Sequence, residues 1–100
     1  QKVVDSWFAT LQEIKAHPEP TLAIMAKRAG VSEADYKAYD AGTTIYSLER
    51  NREALKPGDS MTSLPFAAKE ISGFLQSVGL AKQPPKLEGL FDPRFVTAAR

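Results

Sequence analysis

Cysteine is absent from these 100 residues, and histidine occurs once, at His17. Without thiols, disulfide staples and thiolate chemistry are excluded, although zero cysteine does not fix the compartment. One imidazole cannot build a histidine-cluster metal site, and no motif implies a cofactor. Long apolar runs are missing too: none approaches the roughly 20 residues needed to cross a bilayer. Nor is there a block of one charge. Thirteen basic and twelve acidic side chains are interspersed, giving a net charge of +1. A nucleic-acid groove needs clustered Lys and Arg, so no nucleic-acid partner is expected. The nearest approaches, Lys27-Arg28 and Arg50/Arg52, have acidic neighbours within a turn or two and read as solvated faces.

What is present is a hydrophobic share of 43% and a charged share of 25%, the make-up of an ordinary globular protein of at most one domain. Gln1-Lys2-Val3-Val4 carries no initiator and no signal-peptide order, and leads straight into helical periodicity. The expectation is a piece of something longer.

Val3, Val4, Trp7, Phe8, Leu11 and Ile14 recur at spacings of three and four, predicting a helix that Pro18 ends. Pro18 and Pro20 fit the first turn of a second helix, with Leu22, Met25, Ala26 and Ala29 inward, Ile24 at the margin, and Gly30 as its stop. Ser32 with Asp35 resembles a capping box opening a third helix, on which Tyr36 and Tyr39 share a face. Ser47–Leu55 reads as a short, mostly solvent-facing helix, followed by a turn at Lys56-Pro57-Gly58-Asp59. A second strong amphipathic helix spans about 62–78, through Leu64, Ala67, Ala68, Ile71, Phe74, Leu75 and Val78, with Gly79 as its stop. Lys82-Gln83-Pro84-Pro85-Lys86 is extended, and Leu87, Leu90 and Phe91 look like a strap across a surface. Asp92-Pro93 opens a short last helix to about Ala99, with Phe91 and Val96 at the staple positions.

Between the third and fourth helices lies Asp40-Ala41-Gly42-Thr43-Thr44-Ile45-Tyr46-Ser47, the most informative stretch of the chain. Gly42 offers backbone freedom before two β-branched threonines, and Ser47 stands where the next helix needs an N-cap. It reads either as a strand crossing to another part of a larger protein or as a loop presenting N–H groups and hydroxyls to a small ligand.

Taken in order, several segments resemble one family. They are Trp7-Phe8-Ala9-Thr10, His17-Pro18-Glu19, the helix from Leu22 to Gly30, and Asp40 through Glu49. Gly58-Asp59-Ser60-Met61-Thr62-Ser63-Leu64-Pro65 and Val78-Gly79-Leu80 with Phe91-Asp92-Pro93-Arg94-Phe95-Val96 complete the set. The chain resembles the C-terminal part of a bacterial ABC-transporter substrate-binding protein, of the nitrate, taurine, aliphatic-sulfonate and thiamine-precursor type. Pro20 departs from the pattern and affects only a helix start. The resemblance implies a mainly α segment of a two-lobed α/β periplasmic-binding-protein-like fold, with at most one or two short extended pieces. It implies a periplasmic or otherwise extracytoplasmic location, a small anionic or heteroaromatic solute, and a membrane permease as partner. The missing N-terminal part of the parent, or self-association, would cover the apolar faces.

Five residues are candidate ligand contacts: Trp7, Asp40, Thr43, Thr44 and Tyr46. Each has a plainer reading. Trp7 sits on the apolar stripe, which favours core packing; the threonines suit a short strand; Tyr46, like Tyr36 and Tyr39, suits packing with an exposed hydroxyl. His17 reads as a surface cap, and Asp59, Ser60, Thr62 and Ser63 as an N-cap cluster rather than an anion site. No Ser/His/Asp set and no Gly-rich phosphate loop occurs, and Glu33 and Asp35 at i, i+2 point to different faces of a helix. Catalysis is not expected. The alternative to a solute receptor is a freestanding helical module using an apolar helix face against a partner.

Overall fold

Helix α1 (Lys2–Ala16) forms where apolar residues recur at helical spacing, and it ends at His17, whose φ of −130° and ψ of 67° leave the α region. The His17 N–H still reaches the Glu13 carbonyl at 2.9 Å, while the His17 carbonyl accepts from the Thr21 N–H at 3.2 Å. One residue thus closes α1 and caps α2 (Pro18–Ala29), with the two prolines in a first turn that needs no N–H partners. Its ring Nδ1 lies 2.7 Å from Glu13 Oε1 in an exposed pair, which makes it a surface junction.

The computed structural model describes residues 1–100, with six α-helices over 63% of the chain and no strand. The mainly α class read from the sequence is observed. The chain divides into two compact units, Gln1–Ser47 with Ala99–Arg100, and Leu48–Ala98.

In the first unit α1 packs on α2, and α2 on α3 (Glu33–Ala41). Gly30, at φ 72°, supplies the left-handed stop of α2. The Val31 N–H bonds to the Ala26 carbonyl at 3.1 Å and the Gly30 N–H to the Lys27 carbonyl at 3.3 Å, completing a Schellman motif. Ser32 caps α3, its Oγ accepting from the Asp35 N–H at 3.1 Å. The reciprocal half of the box differs. The shorter Asp35 carboxylate accepts the Ser32 hydroxyl proton at 2.7 Å, whereas a Glu would reach back to the backbone. Phe8 and Ala26 are buried, with Leu11, Ile14, Leu22, Met25 and Tyr36 half-buried.

Three expectations fail in this unit. Trp7 is 50% exposed rather than packed in a core, because α1 turns Phe8, not the indole, inward. Ala29, expected inward, also lies in solvent. Gly42 adopts φ −91° and ψ 0°, a conformation open to any residue, so its freedom is not what shapes the passage that follows.

In the second unit α4 (Leu48–Leu55) packs against α5 (Leu64–Ser77) and α6 (Arg94–Ala98). Its core is built from small residues: Ala54, Ala67 and Ser63 are buried with Leu48. Of the N-cap cluster, Ser63 caps α5, accepting from the Phe66 N–H at 3.3 Å and donating to the Lys56 carbonyl at 2.8 Å. This pulls the turn so close that a Cβ on Gly58 would lie 2.9 Å from that of Ser63. Gly79, at φ 73°, closes the other end, with the Leu80 N–H on the Leu75 carbonyl at 2.9 Å. Asp92 Oδ1 accepts from the Arg94 N–H at 3.1 Å at the start of α6.

The packed side of α5 is not the whole of its apolar stripe. Ile71, expected in the core, is 50% exposed, with Phe74 at 62% and Val78 at 50%. Alanines, which let α4 approach closely, take the inward positions instead. Arg52 corrects the solvated-face reading of α4: it is half-buried, and its Nε donates to the Val96 carbonyl at 2.9 Å.

Candidate functional site

The end of α3 and the chain that leaves it make one wall of a cavity in the first unit. Thr43–Ser47 form neither helix nor strand. The passage runs as extended backbone with no strand pairing in the chain. Thr43 is tied to α3, its N–H bonding to the Asp40 carbonyl at 2.9 Å and its hydroxyl donating to the Tyr39 carbonyl at 3.3 Å. From there alternate residues face one way, as in any extended backbone. Thr43, Ile45 and Ser47 line the cavity, while Thr44 and Tyr46 do not.

The cavity measures about 330 Å³, within the span of small-molecule sites. Leu11 and Ile14 of α1, Met25 of α2 and Tyr36 of α3 give it an apolar body, and Asp40 is its only charged residue. The Tyr36 hydroxyl donates to Met25 Sδ at 3.6 Å, so its proton is engaged while its oxygen can still accept. The Thr43 hydroxyl is in the same state. Three polar groups of the lining therefore offer acceptors: the Asp40 carboxylate, Thr43 Oγ1 and Tyr36 Oη.

Of the five candidate contacts, Asp40 and Thr43 are brought together here. Thr44 and Tyr46 belong to the same passage but to its other side, and Trp7 is half-exposed on α1 outside the lining. Sequence reasoning missed Tyr36 and Met25 as a pair. The signal was the spacing of Tyr36 and Asp40, four apart on one face of α3.

A larger hollow of about 560 Å³ lies in the second unit, between α5 and Pro84-Pro85. Gly73 opens its floor, since a Cβ there would meet nothing within 4 Å. The expected strap is present in part: Leu87 and Phe91 are half-buried, but Leu90 is 58% exposed. Lys69 and Glu70 stand side by side on its rim and give it no single electrostatic sign.

No group of His, Cys, Asp and Glu has the arrangement of a metal site. Comparison with protein-family models, with curated proteins and with solved structures finds no match to the chain. The functional reading therefore rests on the residues themselves.

Proposed function

We propose that the chain is the helical C-terminal part of the solute-binding component of an ABC importer. In this reading it works outside the cytoplasmic membrane, helps to hold a small anionic or heteroaromatic solute, and delivers it to a membrane permease. It performs no catalysis. The observation that carries the reading is the uncovered apolar stripe of Ile71, Phe74 and Val78 on α5. An evolved soluble surface seldom leaves large apolar side chains aligned at helical spacing, and the lobes of a binding protein would cover them. The ordered set of motifs from Trp7 to Val96 supports the same reading.

The completeness of the helix ends favours a second reading. Ser32, Ser63, Gly30 and Gly79 each satisfy a helix terminus locally, as a freestanding helical interaction module requires. Sedimentation of the chain separates the two. A receptor segment self-associates to bury its stripe, giving a dimer or a larger species. A compact monomer with one sharp thermal transition would favour the module.

A further inference from the structure

Asp40 stands in the last turn of α3, a helix that carries no basic residue there. The C-terminal end of a helix bears a partial negative charge, so an acid at this place is unfavourable and a cation is favoured. Lys37, one turn earlier, is drawn toward Glu19 at 4.0 Å and does not line the cavity. The cavity thus combines the negative end of a helix, a carboxylate, and the acceptor oxygens of Thr43 and Tyr36, whose own protons are spent on Tyr39 and Met25. Apart from the Ser47 hydroxyl, its remaining walls are apolar. An anion would meet like charge here.

We propose that this cavity binds a small organic monocation, an ammonium or amidinium group on an apolar body, with Asp40 as its counter-ion. The cationic N–H groups donate to the Asp40 carboxylate and to Thr43 Oγ1, and the body packs on Leu11, Ile14 and Ile45. Charge-assisted hydrogen bonds of this kind are roughly twice as strong as neutral ones. The ring of Tyr36 adds a face on which a planar cation can rest. The inference rests on the reading of residues 40–47 as a solute site. It narrows the solute class implied by the family resemblance, admitting a protonated heteroaromatic and turning away a sulfonate or nitrate.

Three probes of one shape and different charge decide it: benzamidinium, benzamide and benzoate. Each is titrated into the full 100-residue chain while NMR follows the backbone amides of Met25, Asp40, Thr43 and Ile45. Benzamidinium should move these amides and bind at least roughly tenfold more tightly than benzamide, with benzoate weakest. Asp40→Asn keeps the shape, removes the charge, and should bring benzamidinium down to the level of benzamide. The same variant should melt no lower than the parent, since it removes an acid from the wrong end of α3. If benzoate moves the same amides as strongly as benzamidinium, the cation assignment is overturned while the site stands. If no probe moves them, the cation assignment falls, and Thr43→Val in the full protein then decides whether residues 40–47 border a solute site at all.

Discussion

Arg52 reaches from α4 to the last turn of α6, where its Nε donates to the Val96 carbonyl at 2.9 Å. A guanidinium at a helix C-terminus satisfies a free carbonyl and opposes the negative end of the dipole. Its second arm, Nη2, lies 3.5 Å from the Thr97 carbonyl. Replacing Arg52 by Ala should cost about 1.5–3 kcal/mol, the range for a hydrogen bond from a charged donor. Arg52→Lys should recover little, because an ammonium lacks the planar fork. Urea denaturation of the two variants checks this, and equal stability of the Lys variant and the parent would contradict it.

Two glycines of the second unit should respond to alanine with opposite sign. Gly73 lies inside α5 with open space where a Cβ would go, so Gly73→Ala should stabilise by about 0.5–1 kcal/mol. Gly79 is held at φ 73° by the Schellman motif, and Gly79→Ala should destabilise by about 1 kcal/mol. Thermal melts of both variants, run side by side, read the signs directly.

Phe8→Ala should cost about 3–5 kcal/mol, since Phe8 is only 5% exposed and leaves a cavity behind. Ile71→Ala, at a side chain 50% exposed, should shift the stability of the chain by less than about 1 kcal/mol when measured at concentrations where it is monomeric. Chemical denaturation of each variant gives the two values. A large loss at Ile71 in the chain alone would mean that its stripe is already covered.

Asp92 gives the chain a pH dependence at the acid end. The Arg94 side chain bonds its carboxylate, with Nε at 2.9 Å and Nη2 at 2.7 Å, and the Arg94 N–H adds a backbone bond at 3.1 Å. Together they pull its pKa from 3.8 to about 2. Because the folded value lies below the unfolded one, the stabilisation is present above about pH 3.8 and is lost as the pH falls through about 2. The pair is exposed, so salt should weaken the effect. An NMR titration of the Arg94 amide should show α6 loosening over this window, and a start of α6 indifferent to pH between 4 and 2 would contradict the account.

The helices were legible because their ends are chemical. Pro18, Ser32, Gly30, Gly79 and Asp92 each mark a boundary by a property of the residue alone. Burial was less legible. Periodicity shows that Ile71, Phe74 and Val78 share a face, but not that α5 turns its alanines inward and leaves that face open. Arg52 looked like any charged residue on a polar helix, since its partner carbonyl lies 44 positions away in sequence. In the sequence Asp40, Thr43 and Thr44 are equivalent polar candidates of one passage. Only the extended path of the backbone separates Thr43, which lines the cavity, from Thr44, which does not.

That separation supplies the most direct measurement. The full protein encoded by the gene is titrated calorimetrically with sulfonates, nitrate and protonated pyrimidines, alongside Thr43→Val and Thr44→Val. Valine keeps the shape of threonine and removes the hydroxyl, which is worth about 0.5–1.5 kcal/mol to a neutral partner and about 1.5–3 kcal/mol to a charged one. The account predicts an affinity loss of about twofold to over a hundredfold in Thr43→Val and none in Thr44→Val. Unchanged affinity in both variants for a solute the parent binds, or no solute bound at all, would contradict it.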